Sequence, residues 1–275
     1  MNCYADLTSL KSASYLNIAS VTTHDTYLRR LLDAASRMID KECDRFFFVQ
    51  TETRYYDGKP SGMPLDDILS ITTLKLDEDE DATYEATLTE GTDFYLYPYN
   101  TFPKWKGIIA PQGGYGTFAS GAIRGVQIVG SFGYGDGLSA TPYHDAGTDV
   151  NDATPMTASQ TTCTVDDGTK FAHGQTILID SEQLFIESIV THVLTVKRGV
   201  NGTTAATHAD DSDIDIYDYP EEIREACLIQ VMRWWKRKDS AFQDMVGSPE
   251  LGTFVVAKEL DADIKLILKE YRRYR

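Results

Sequence analysis

The sequence is poor in cysteine and has no long hydrophobic run. Its four cysteines, Cys3, Cys43, Cys163 and Cys227, lie far apart and form no Cys-x-x-Cys pair, which argues against a disulfide framework and against a zinc site. Cys43 and Cys227 fall on apolar helix faces, so we expect core thiols there. No stretch approaches the run of about 18 apolar residues that a membrane span requires. Residues Met1 to Ser20 also lack the pattern of a secretion signal, so we expect a soluble, unsecreted protein.

Motifs of known enzyme classes are missing too. The five histidines are scattered over loop-like contexts, with no pair at helical spacing, and are interpreted as solvated loop residues. No nucleophile elbow, phosphate-binding loop or Ser/His/Asp set can be assembled. Gly133, Gly135 and Gly137 follow a strand but precede no helix, so they predict a turn. The sequence therefore predicts neither catalysis nor a cofactor, although a polysaccharide hydrolase with paired carboxylates in a cleft stays open.

Two acidic runs raise the question of metal binding. The run from Asp77 to Asp81 lacks the alternating ligand spacing and the central glycine of an EF-hand. A hairpin end in water explains it better, because like charges in a row favour solvated segments. Asp210, Asp211 and Asp213 are interpreted in the same way. No metal site is predicted.

Basic residues are scarce and unevenly placed. The chain has 26 basic and 42 acidic residues, a net charge of −16. The part up to Tyr219 carries −17, whereas the last 56 residues carry +1. Such an acidic protein is a poor binder of duplex DNA. Its closing segment, which places Trp234 and Trp235 beside Lys236 and Arg237, has the composition of a macromolecular docking surface.

Hydrophobic periodicity predicts helices at both ends of the chain and short strands between them. We predict a helix from Thr23 to Phe46 capped by Thr22 or Thr23, a second from Pro220, and a third from Glu259 to Tyr271. Strands with turn signals are predicted at 51–56, 68–76, 83–88, 94–97, 105–110, 123–132, 162–165, 175–179, 184–189 and 193–196. Leu138 to Ser159 is predicted to be a linker, and Asp239 to Val256 a loop.

The order of several phrases resembles the head-to-tail connector (adaptor) proteins of long-tailed bacteriophages. The phrases are LRRLLDAASRMIDKECDRFF, TRYYDG, DDILSITTLKLDEDED, TEGTDFYLYP, VQIVGSFGYGDG and YPEEIREACLIQVMRWWKRKD. They cover Thr23 to Gly137 and Tyr219 to about Arg273. About 80 residues that the family pattern lacks intervene, and these resemble a small β-module of phage virion proteins.

The resemblance implies a fold, an assembly and a set of domains. The expected fold class is α+β: a helical connector core with a short-stranded β-element, an inserted small all-β domain and a C-terminal docking helix. The expected domains are 1–137 and 219–275 for the connector core and 138–218 for the inserted module. The expected assembly is a homo-oligomeric ring, commonly a dodecamer, at the head-tail junction of the virion. It binds the portal and a head-completion or tail protein, and DNA passes through its central channel.

The docking residues expected from the resemblance lie in the closing segment. The predicted portal-binding residues are Trp235, Lys236, Arg237, Lys265, Lys269, Tyr271, Arg272, Arg273, Tyr274 and Arg275. One of the two adjacent tryptophans is expected in the core, since neighbours on a helix point about 100° apart. An alternative is a receptor- or glycan-binding virion protein that works through the inserted module. Between Asp145 and Asp218, however, that module has only Phe171, Phe185 and Tyr217 as aromatic residues.

Overall fold

The computed structural model describes residues 2–239, 245–248, 252–255 and 260–273. The chain forms two compact units. The central unit comprises Phe46–Pro142 with Asn201–Thr203, and the terminal unit comprises Met1–Arg45, Tyr143–Val200 and Thr204–Arg275. The six-stranded sheet of the predicted module thus shares a unit with the helices, and the domain boundaries at 137 and 218 stay a prediction.

The central unit is built on one antiparallel sheet in the order β1-β6-β2-β5-β4, with β3 paired to β2. Its strands are β1 (Gln50–Tyr56), β2 (Gly62–Leu76), β3 (Ala86–Leu88), β4 (Phe94–Tyr97), β5 (Lys104–Ile109) and β6 (Val126–Phe132). The predicted strands are confirmed here. β2 starts earlier than predicted because its first residues, which include Pro64, pair with β5 before the strand continues along β6. The register of β2 against β6 shifts between Ile68 and Ser70 and again between Ile71 and Thr73.

One face of this sheet carries the core of the central unit. Leu74, Leu76, Phe94, Ile128 and Phe132 alternate inward along their strands and are buried. The glycine-rich stretch after β6 is the predicted turn, with positive φ at Gly133, Gly135 and Gly137. At Gly133 a side chain would also collide with the carbonyl oxygen of Phe48, so only glycine fits.

The terminal unit contains a second antiparallel sheet in the order β7-β12-β9-β10-β11-β8. Its strands are β7 (Tyr143–Asp149), β8 (Thr162–Thr164), β9 (Thr176–Ile179), β10 (Glu182–Val190), β11 (Val193–Lys197) and β12 (Asp213–Tyr217). The four predicted strands are confirmed. β7 lies in the stretch predicted to be a linker, and β12 begins at Asp213, in the second of the two acidic runs. Neither strand was predicted, because both are rich in polar residues and short, so the alternation of buried and exposed residues is difficult to recognise.

The same unit contains the helices α1 (Leu7–Lys11), α2 (Asp25–Cys43), α3 (Glu221–Asp239) and α4 (Ala262–Tyr271). The three predicted helices are confirmed, and α2, α3 and α4 pack on one another. The stripe of α2 is buried at Leu28, Leu32, Ala35 and Ile39. The predicted threonine cap is wrong: His24 occupies the N-cap position of α2 without a side-chain hydrogen bond. No helix in the described part of the chain is long and apolar enough to cross a membrane.

The expected fold class is wrong. In the described residues two six-stranded antiparallel sheets dominate, and helices make up only 23%, so this is not a helical connector core. The helical share of the fold was overestimated because apolar residues in the helices recur regularly at three- and four-residue spacing. Bulges and short strands interrupt the two-residue alternation of apolar residues in the sheets. The predicted loop 239–256 is also wrong in part. It contains a hairpin of β13 (Met245–Ser248) and β14 (Gly252–Val255).

Candidate interaction surfaces

The predicted docking helix α4 lies against its own chain. Ile264 and Leu268 are fully buried. The hydroxyl of Tyr271 donates to Glu222 Oε2 at 3.0 Å, and Arg272 forms an ion pair with Glu42. These contacts fix one face of α4 to α2 and α3. Of the predicted portal-binding residues, Tyr271 and Arg272 are therefore partly used within the molecule.

The opposite side of α4 faces solvent. Lys265 and Lys269 are one helical turn apart and exposed, and Leu266 beside them is 70% exposed. These three residues are called the α4 outer face. They combine two cations with one large apolar side chain.

The other predicted portal-binding residues have mixed environments. Trp235 is half-buried, with its ring 5.0 Å from that of His24 and 6.1 Å from that of Tyr27, and Lys238 Nζ lies 3.8 Å from the Trp235 ring centroid. Trp234 is half-buried as well, so neither tryptophan is fully in the core.

Lys236 is exposed, whereas Arg237 and Arg273 are half-buried. The backbone N–H of Arg273 donates to Cys43 O at 2.9 Å. Tyr274 and Arg275 lie outside the described residues.

A second surface, in the central unit, was not predicted. Four aromatic side chains, Tyr95, Tyr97, Tyr99 and Trp105, cluster on and beside β4. The ring of Tyr97 lies 5.5 Å from that of Tyr99 and 5.5 Å from that of Trp105, and Tyr95 lies 6.3 Å from Tyr99. Tyr97 is 38%, Tyr99 59% and Trp105 46% exposed. We call this cluster the aromatic edge.

Strand alternation and a buried lysine hold the aromatic edge in place. On β4, Phe94 and Leu96 point into the core, so Tyr95 and Tyr97 point outward. Lys104 is buried, and its Nζ donates to the carbonyl oxygens of Pro98 at 2.6 Å and Tyr99 at 2.8 Å. The same ammonium lies 4.4 Å from the Phe102 ring centroid. The loop that carries Tyr99 is thus fastened to β5.

The chain matches no protein-family model and no curated protein sequence.

A buried polar cluster in the terminal unit was also missed, and it is structural. Glu182 is fully buried and accepts hydrogen bonds from Arg198 Nε at 2.7 Å and from the backbone N–H groups of Gly199 and Ala206 at 2.8 and 2.9 Å. His208 Nε2 lies 2.9 Å from the same carboxylate. Burial opposes ionisation, but these donors lower the pKa of Glu182 to about 2. Both carboxylate oxygens of Glu182 already accept hydrogen bonds. Because the side chain is fully buried, it is closed to a substrate.

His208 corrects the expectation of solvated histidines, because it is fully buried. Its Nδ1 lies 2.7 Å from Asp180 Oδ2. Cys43 and Cys227 are buried, as expected, and so are Cys3 and Cys163. Burial raises the pKa of Cys43, Cys163 and Cys227 to about 12. Thiols that do not ionise near neutral pH are poor nucleophiles.

The sequence did contain a signal for the aromatic edge. Tyr95, Tyr97 and Tyr99 recur at every second residue in DFYLYPYN, which predicts one shared face on a strand. What it could not show is that Trp105 on the neighbouring strand joins them.

Proposed function

We propose that this chain is a structural protein of a bacteriophage virion, a homo-oligomeric ring that connects the portal to the neck or tail. The connector phrases in the sequence suggest this role. The observation that carries it is the aromatic edge, a cluster of large, partly exposed aromatic side chains on and beside the edge strand β4, whose loop is held by Lys104. The proposal does not depend on a helical core.

The aromatic edge has the properties of an interface between copies. Aromatic side chains are enriched at interface hot spots because they bury much area at small entropic cost. Contiguous exposed apolar surface usually marks a place that another molecule covers. Along its length β4 pairs with β5, and on its other side Phe94 makes a single bridge to Glu90. Within the described residues, the part of that side beyond Phe94 is open to a neighbour.

A ring also needs two different contact surfaces on each copy. Head-to-tail contacts join one patch to a dissimilar patch on the next copy, and they close when the rotation allows it. The aromatic edge supplies one patch in the central unit.

The α4 outer face suits the portal contact. Lys265 and Lys269 are cations on a chain with a net charge of −16, so they would attract an acidic partner there. Leu266 supplies apolar area between them. The portal contact is therefore assigned to Lys265, Leu266 and Lys269, with exposed Lys236 as a further contributor.

The overall charge suits a conduit for DNA. An acidic wall repels the phosphate backbone, whereas a basic wall would hold it with a strong, salt-dependent affinity. DNA passage through the ring accordingly needs no sequence-specific contact.

The glycan-binding alternative gains no support from the second sheet. Phe171, Phe185 and Tyr217 are all buried, at 7%, 4% and 5% exposure, so none of them offers a face on which a sugar ring could stack.

Two double variants test the proposal by size-exclusion chromatography with light scattering and by binding to the cognate portal. Tyr97→Ser with Trp105→Ser should dissociate the ring, whereas Tyr55→Ser, which changes a 41%-exposed tyrosine of the same sheet, should not. Lys265→Glu with Lys269→Glu should leave the ring intact and weaken portal binding by about 1–3 kcal/mol. Lys170→Glu with Lys197→Glu, on exposed lysines of β8–β12, is the charge control. Unchanged assembly and unchanged portal binding in both test variants would reject the proposal.

A further inference from the structure

We infer that the hairpin end between β2 and β3 is a binding site for a divalent cation of the calcium type, with Asp77, Asp79 and Glu85 as ligands. One oxygen from each of these carboxylates lies within 4.8 Å of the others. No such group is found around Asp210, Asp211 and Asp213 in the described chain.

The hairpin itself brings the acids together. The last paired residues of β2 and β3 are Leu76 and Ala86. Asp77 directly follows Leu76 and Glu85 directly precedes Ala86, so the two carboxylates lie at the same end of the hairpin, where like charges repel each other. None of the three carboxylates forms an ion pair with a lysine or arginine among the residues that the structure describes.

A second observation concerns Asp77 alone. Its residue is only 4% exposed, unlike the rest of the acidic run. Its Oδ2 accepts the backbone N–H of Ala82 at 2.9 Å, but its Oδ1 is buried and has no hydrogen-bond partner. A buried carboxylate oxygen without a partner is costly. A cation held between Asp77, Asp79 and Glu85 would supply the missing interaction and remove the repulsion.

The ligand chemistry selects the ion. Three carboxylates and no histidine or cysteine suit hard cations and not zinc. The three oxygens lie within 4.8 Å of one another, which suits the flexible coordination of calcium at about 2.3–2.6 Å, whereas magnesium demands a near-ideal octahedron at about 2.0–2.1 Å. Asp79 and Glu85 are exposed, which leaves room for water ligands. We therefore expect calcium with a dissociation constant on the order of 10⁻⁴–10⁻³ M, the range of modestly built sites.

Isothermal titration of the full chain with calcium chloride, after removal of metal with a chelator, tests this site. One saturable site per chain is expected, and Asp79→Asn or Glu85→Gln should each weaken it about tenfold or more. Glu78→Gln and Asp81→Asn remove the same charge from the same turn but lie outside the three-residue group, so they should retain the affinity. These variants avoid Asp77, whose bond to Ala82 supports the turn.

Three results would overturn the inference. The first is no saturable heat at about 10 mM calcium, ten times the weakest expected constant. The second is equal weakening by Glu78→Gln and Asp79→Asn, which would mean diffuse attraction to an acidic loop. The third is magnesium binding without calcium binding. Titration gives each of these results whether or not the chain assembles into a ring.

Discussion

The buried ammonium of Lys104 donates a hydrogen bond of 2.8 Å to the carbonyl oxygen of Tyr99. This bond connects the interior of the central unit to its most exposed tyrosine. It explains how a loop residue can belong to a fixed surface, since Nζ also donates to Pro98 O and both partners lie in the backbone of that loop.

Replacing Lys104 with methionine should loosen the aromatic edge. The variant keeps most of the side-chain volume but leaves two part-buried carbonyl oxygens without their donor, at a cost of up to about 1–3 kcal/mol each. Urea unfolding should report lower stability. Tryptophan fluorescence, in a background that replaces Trp234 and Trp235 with phenylalanine, should report a wetter environment around Trp105. Lys106→Met, on a half-buried neighbour in β5, should have little effect on either. Equal behaviour of the two variants would contradict the role of Lys104.

Leu268 and Leu266 form a matched pair on α4. Leu268→Ala should destabilise the chain by about 2–5 kcal/mol because Leu268 is fully buried. Leu266→Ala should change stability by less than about 0.5 kcal/mol while weakening portal binding. Thermal unfolding and portal titration of both variants separate folding from docking. A stability loss in Leu266→Ala as large as in Leu268→Ala would show that the α4 outer face is covered within the chain.

Glu182 should make the terminal unit sensitive to acid. Its pKa is lowered to about 2 from the ordinary 4.5, so the folded state binds fewer protons than the unfolded state between these values. Its contribution, about 3 kcal/mol, is present above pH 4.5 and is lost as the pH falls towards 2. The difference in unfolding free energy between wild type and Glu182→Gln, measured by denaturant unfolding, should decrease as the pH falls from 4.5 to 2. The gap to Glu187→Gln, on an exposed residue of the same strand, should stay small throughout.

Asp40 should have the opposite effect of pH on stability: its contribution should fall as the pH rises. Burial raises the pKa of this carboxyl group to about 6 from 3.8, although Arg37 and the Tyr4 hydroxyl favour its ionised form. The folded state therefore binds more protons than the unfolded state between pH 4 and 6, and this group's contribution falls as the pH rises through that window. Relative to wild type, Asp40→Asn should gain up to about 3 kcal/mol between pH 4 and pH 7. A pH-independent difference between the two proteins would contradict the assignment.

The sequence predicted local structure better than architecture. The stripe of Leu28, Leu32 and Ile39 and the turn at Gly133 follow from short-range rules and were predicted correctly. β12 was missed although Ile214 and Ile216 alternate inward, because the aspartates between them suggested a solvated loop. The proportion of sheet to helix was misjudged for a second reason, because sheet order and register depend on pairings between residues distant in the chain.

The interaction surfaces were likewise predictable from the sequence only in part. Charges on α4 were visible in the sequence, but the use of Tyr271 and Arg272 in contacts with Glu222 and Glu42 depends on tertiary packing. The burial of Asp77 and His208 likewise depends on segments distant in the chain. Composition alone cannot distinguish a buried carboxylate from one at a hairpin end in water.

Electron microscopy of the purified protein, alone and mixed with its cognate portal, tests the central claim most directly. The account predicts closed rings with a central hole, seated on the portal in the mixture and lost in the variant that changes both Tyr97 and Trp105. Monomers in both samples at micromolar concentration, with the aromatic edge exposed to solvent, would contradict it.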